Sequence, residues 1–205
     1  MLSTILPFLL ASFIIELTPG PNMGYLAVLT LNRGRMAGLA AVAGVALGLL
    51  ILGLVAGFGL GTVVGETRWL YELVRWAGVA FLLWLAWDAY RESRGPLERD
   101  DDSGRRWSYF TRGLVTNLLN PKAAVFYIAV LPNFVVADGA MSQELILSLA
   151  YVGVATIVHA GIVLLASVVQ PLLTSDRLRA RMGAIFAVLL VAIALWVLIT
   201  TRRLW

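Results

Sequence analysis

Glu16-Leu17-Thr18-Pro19-Gly20-Pro21-Asn22 interrupts an apolar run that extends over residues 4–31. A run of that length suits a bilayer, whose hydrocarbon core of about 30 Å takes roughly 20 apolar residues as helix. Glu16 stands about 12 residues into the run, about 18 Å at the helical rise, close to mid-membrane. Proline removes a backbone donor and turns the residue before it away from helix, so two prolines around a glycine break the helix there. Carbonyls and amides freed in this way are tolerated in hydrocarbon only when buried in protein or lining a wet cavity. A purely structural kink, with Glu16 near a headgroup or in an ion pair, is the competing reading. A carboxylate beside a broken helix at the midplane favours a functional site.

Working outward, five more apolar spans follow, over residues 37–60, 73–90, 113–136, 145–169 and 182–199. The fold class is therefore all-α, a polytopic membrane protein of six transmembrane helices. The chain of 205 residues is 60% hydrophobic and 14% charged, whereas a soluble domain carries about a quarter charged residues. Its mean hydropathy is +0.86. Six spans use about 120–140 residues, which leaves no room for a separate soluble domain. The strongly hydrophilic stretch, Arg91–Trp107, holds five arginines and five acidic residues and reads as a loop joining two halves. The organisation is thus a first unit over 1–90, a hydrophilic loop over 91–108 and a second unit over 109–205.

Charge and cysteine usage exclude several function classes. There are no cysteines, so disulfides, thiolate metal sites and thiol redox chemistry are absent. The net charge is +4, but all the basic residues except Lys122 are arginines clustered in a few loops, as topology signals are. Nucleic-acid binding is not expected. Met1-Leu2-Ser3-Thr4-Ile5 offers neither a basic n-region nor a cleavage site, so the first span reads as a retained helix.

The two halves read as a duplication. A shift of 102 positions (121 − 19) sets Pro19 on Pro121, Tyr25 on Tyr127, Gly59 on Gly161 and Arg75 on Arg177, and superposes all three spans. Three helices per unit is an odd number, so the second copy enters the membrane from the opposite face, an inverted repeat of the kind found in secondary transporters. Arg33, Arg35, Arg91, Arg94, Arg99, Arg105, Arg106, Arg177, Arg179 and Arg181 share one side; Arg68, Arg202 and Arg203 share the other. The positive-inside rule puts the richer side, with the 91–108 loop, in the cytoplasm and both termini outside.

The second half carries its own polar break, Asn117-Leu118-Leu119-Asn120-Pro121-Lys122, and Lys122 is the sole lysine of the chain. An unpaired ammonium inside a span costs several kcal/mol. Inverted repeats bring the two breaks together, which makes Glu16 and Lys122 neighbours. The competing reading has residues 110–120 on the surface and Lys122 snorkelling to the cytoplasmic interface.

Together these motifs resemble the LysE/RhtB family of amino-acid exporters. The first is the Glu16–Asn22 stretch followed by Gly34, Gly38, Gly44 and Gly48. The second runs Phe110, Gly113, Asn117, Asn120-Pro121-Lys122-Ala123, then Leu131-Pro132 and Phe134. The resemblance covers essentially the whole chain. It implies proton-coupled efflux, by antiport, of an amino acid or related metabolite from the cell across the inner (plasma) membrane. The expected partners are a small zwitterionic substrate, protons and membrane lipid, with no cofactor and no metal.

The candidate substrate and proton pathway comprises Glu16, Thr18, Pro19, Gly20, Pro21, Asn22, Asn117, Asn120, Pro121 and Lys122. Glu16 would hold the substrate ammonium; Lys122, Asn22, Asn120 and exposed amides would hold its carboxylate. A membrane-embedded enzyme is the first alternative, but no metal cluster, nucleophile elbow or cysteine nucleophile is present. A non-transporting scaffold is the second, and it leaves two helices broken at matching depths without a reason. Gly34/Gly38, Gly44/Gly48 and Gly53/Gly57 show the small-residue spacing of close helix packing, within the monomer or across a homodimer. His159, the sole histidine, falls in the fifth span as a satisfied core residue or a proton relay. Most tryptophans, Trp205 included, read as interfacial belt residues.

Overall fold

In the computed structural model, residues 2–58, 67–94, 106–135, 141–172 and 176–200 are described, and among them every regular element is helical. The first span is two helices, α1 (Leu2–Leu17) and α2 (Pro21–Arg33), bent by 58°. Pro21 is the first residue of α2, where its missing N–H would have had no helical acceptor in any case. Gly34 ends α2 with φ +85, a left-handed conformation that a side chain resists, and α3 (Arg35–Gly57) starts at once. Then come α4 (Arg68–Arg94) and α5 (Arg106–Leu118). α6 (Pro121–Val125) runs into a π turn, Phe126–Val130, and a 3-10 turn, Leu131–Phe134. α7 (Met141–Val169) and α8 (Asp176–Thr200) complete the chain.

The fourth span differs from its expected limits. Helix begins at Arg106 rather than near Gly113, and the span is broken, with a bend of 51° between Arg106–Leu118 and Lys122–Phe134. Helix also takes up residues 91–94 and 106–108 of the expected loop; residues 95–105 lie outside the described residues. At the edges, the Arg94 guanidinium stands 4.3 Å from the Tyr90 ring centre, and Trp107 stacks on Phe110. These contacts, one helical turn apart, extend both helices past the point where apolar patterning stops. The breaks themselves align at an offset of 100 (121 − 21) rather than 102, because Pro21 and Pro121, not Pro19 and Pro121, open the following helices.

Among the described residues, two single helices, Arg35–Gly57 and Gln143–Val169, are long and apolar enough to cross a membrane, and each bent pair counted as one crossing makes four. The surface supports a lipid surround: Ile157, Leu165 and Val168 on α7 and Ile199 on α8 are each more than 70% exposed. Side chains of that kind massed outward suit hydrocarbon, not water. α3 is the central helix, packed along α5 and α7, while α4 packs along α8.

Glycines set how close these helices come. A methyl on Gly44 would overlap the Phe110 carbonyl of α5, and one on Gly113 of α5 would overlap the Ala41 carbonyl of α3. The two backbones therefore touch, as small residues allow in membranes. Gly38 and Gly53 face Val163 and Ser148 of α7, so the glycine face of α3 is occupied from within the chain. Gly161, by contrast, has open space where a side chain would go. Gly44→Val is expected to destabilise the purified protein by about 1–3 kcal/mol through overpacking, read as a fall in melting temperature in detergent. Gly161→Ala is expected to leave it unchanged or raise it.

Candidate functional site

Glu16 sits in the last turn of α1, 3% exposed. α1 stops at Leu17, and of the carbonyls near its end Ile15 O accepts from the Thr18 amide at 3.1 Å. Lys122 serves two others at the break: its Nζ donates to Thr18 O at 2.9 Å and to Glu16 O at 3.4 Å. An ammonium at a helix C-terminus is also favoured by the aligned peptide dipoles. The same Nζ lies 3.8 Å from Glu16 Oε2. Lys122 reaches this place because Asn120 turns the chain. The Asn120 side chain is the N-cap of α6, its Oδ1 accepting from the Lys122 amide at 3.1 Å. Gly20 leaves room for the lysine stem, since a methyl there would stand 3.3 Å from Lys122 Cδ. The two breaks thus face each other and are bridged by one side chain.

Two residues absent from the candidate pathway complete the surroundings of the carboxylate. Tyr151 of α7 donates its hydroxyl to Glu16 Oε1 at 2.6 Å, and His159 Nε2 lies 3.3 Å from Glu16 Oε2. Tyr151 and His159 are eight residues apart on one helix, about two turns, which puts them on nearly the same face. Ala155, midway between them in sequence, is fully buried. Tyr151 is held from the other side by Phe126, whose ring stacks on it with 3.5 Å between centres. Tyr127 follows, edge-on to Tyr151, with its hydroxyl donated to Leu49 O at 2.8 Å. A run of aromatics on the π turn therefore fixes the hydroxyl that meets Glu16.

The remaining candidates divide. Asn22 and Asn117 meet: Asn22 Nδ2 donates to Asn117 Oδ1 at 2.9 Å, while Asn22 Oδ1 and Asn117 Nδ2, both buried, have no protein partner. Gly48 backs this pair, and a methyl on it would lie 2.9 Å from Asn117 Nδ2. The amides of Asn22 and Met23, at the start of α2, have no carbonyl a turn earlier in their own helix. Thr18 and Pro19 are exposed, and the Thr18 hydroxyl donates back to Ile14 O at 3.2 Å. Thr18 thus contributes its carbonyl rather than its side chain. Pro21 and Pro121 set the helix starts.

A buried carboxylate, an ammonium, an imidazole and a phenol in mutual reach form a set in which charges can be exchanged between partners without leaving any one bare. Sequence reasoning missed Tyr151, which lies among apolar residues in a long span; its spacing from the sole histidine is the signal that points to it.

The family model described as LysE type translocator matches residues 13–201. The homoserine/homoserine lactone efflux protein of Salmonella typhimurium is 32% identical over 161 residues, 78% of each chain. The threonine efflux protein of Salmonella typhi is 29% identical over 130 residues, 58% of this chain and 60% of that one. An uncharacterized membrane protein of Vibrio cholerae is 28% identical over 184 residues, 88% of this chain and 89% of that one. No solved structure matches significantly.

The Tyr151–Glu16 bond is testable by itself. Tyr151→Phe removes a hydrogen bond to a buried carboxylate and is expected to cost about 1.5–3 kcal/mol. In a Glu16→Gln background the same change is expected to cost less, the non-additivity of residues in direct contact. Denaturation midpoints of the four proteins in detergent measure both.

Proposed function

The chain belongs to the LysE type translocator family, and we propose that it is a secondary exporter exchanging a small zwitterionic amino acid for protons across the plasma membrane. The observation that carries this reading is the Lys122–Glu16 pair, 3.8 Å apart across two facing helix breaks. An amino acid carries both charges of that pair on one small molecule. Its ammonium takes the place of Lys122 at Glu16. Its carboxylate takes Lys122 in return, together with the unpaired Asn117 amide and the first amides of α2, the positive end of that helix. Each protein charge has a partner before and after binding. Protonation of Glu16 from outside then weakens its hold on the substrate ammonium and couples release to the proton gradient.

The efflux proteins for homoserine and threonine make hydroxy amino acids the first substrates to test. In the membrane, α4 and α8 add two crossings to the four, making six, arranged as inverted repeats of 1–90 and 109–205. Both termini lie outside and the 91–108 segment in the cytoplasm.

Vesicles reconstituted with the purified protein and loaded with labelled L-homoserine or L-threonine test the reading. Loss of a charge-assisted contact of about 1.5–3 kcal/mol makes binding about 10–100-fold weaker. Glu16→Gln and Lys122→Met are each expected to lose transport to that degree. A Glu16→Gln protein that still pumps normally against a substrate gradient overturns the role of Glu16.

A further inference from the structure

We infer that His159 is the proton relay of Glu16, taking up a proton at Nδ1 and delivering it from Nε2 to the carboxylate; this rests on the proton exchange proposed above. His159 is 1% exposed, with Nε2 turned to Glu16 Oε2 at 3.3 Å. Its other ring nitrogen, Nδ1, is buried and has no partner among the described residues. A histidine kept for packing would have both nitrogens satisfied, and a buried polar atom left bare calls for a cause. Here the arrangement matches a neutral ring with Nε2–H beside the carboxylate, 3.3 Å from Oε2, and a lone pair at Nδ1.

The other neighbours of Glu16 cannot do this work. Tyr151 donates to Oε1, and Lys122 donates to the carbonyls of Glu16 and Thr18. Imidazole alone binds a proton at one atom while releasing another from a second. A hydronium ion gives its proton to Nδ1 and leaves as water, forming the imidazolium. The Nε2–H bond breaks with its electron pair kept by nitrogen, and an O–H bond forms on Glu16. The product is a neutral carboxyl group and a neutral ring protonated at Nδ1. The reverse sequence returns the proton when Glu16 next takes up a substrate ammonium.

Charges around the ring are few. Glu16 faces it from α1, Lys122 acts on it from α6, and Tyr151 shares its helix. The titratable side chains of α2 and α3 are Tyr25, Arg33 and Arg35. Both arginines flank Gly34, which packs on Gln170. Gln170 lies 11 positions (170 − 159) beyond His159, about 16 Å along a helix.

The test separates proton coupling from binding. Vesicles carrying the full chain or His159→Gln are assayed two ways with labelled L-threonine and L-homoserine: exchange at equal pH, which needs no net proton movement, and export driven by a pH gradient. Glutamine keeps an N–H for Glu16 but has no second nitrogen to load. In His159→Gln, gradient-driven export is expected to fall at least about 100-fold further than exchange does, the scale of a lost acid–base group. Retained gradient-driven export overturns the relay. So does equal loss of both, which would make His159 a binding or folding residue. Wild type that exchanges neither amino acid refutes the proposed substrates instead, and a second measurement still decides the relay. With one histidine in the chain, nitrogen NMR of the histidine-labelled protein reports this ring alone. The neutral ring protonated at Nε2 is expected, giving way to a mixture of tautomers in Glu16→Gln. A wild-type ring protonated at Nδ1 overturns the inference.

Discussion

A carboxylate that is 3% exposed in a chain surrounded by lipid has to be compensated by its own protein. Glu16 sets that demand, and most of the fold around it answers. The helix stops immediately after Glu16, which frees carbonyls that hold an ammonium beside it. A second break supplies the lysine. A long helix from the other half supplies a phenol and an imidazole on one face, and an aromatic cluster on the π turn keeps the phenol in place. None of these groups would have a reason to be buried without the others.

Such a cluster needs helices from both halves to approach within side-chain reach, and α3 makes this possible. Its glycines let α5 come into backbone contact on one flank and α7 close on another. The Asn117 side chain lies against Gly48 and accepts from Asn22 Nδ2. Further from the site, Arg112 of α5 joins Asp88 of α4 at 2.6 Å, with Trp84 beneath the guanidinium at 5.5 Å. Arg75 pairs with Glu72 at 2.9 Å and also donates to Leu198 O of α8. Charged side chains thus tie helices distant in sequence to one another, Arg112 joining α5 to α4 and Arg75 joining α4 to α8.

The breaks were legible because proline acts on its own backbone and its immediate neighbour, so Pro19-Gly20-Pro21 and Asn120-Pro121 declare themselves without tertiary context. The Glu16–Lys122 proximity was legible because charges inside a span are few and need each other. What could not be read was anything decided by helix rotation. Tyr151 looks like any aromatic in an apolar run, and only the register of α7 against α1 turns it toward Glu16. His159 was visible as an oddity, but which of its nitrogens is engaged depends on that same register. The helix limits at Arg94 and Arg106 were missed because aromatic contacts one turn apart carried helix into polar sequence. Which proline of Pro19-Gly20-Pro21 opens a helix was equally hidden, and helix geometry chooses Pro21.

Lys122 gives the molecule an unusual chemical property. It is the sole lysine in the sequence, and its side chain is 20% exposed where it bridges the two breaks. Apart from the α-amine at the chain's start, every reagent that acylates or reductively alkylates amines meets this protein at one atom, between the two helix breaks. A label placed there would report directly on the space between the breaks, with no background from other lysines.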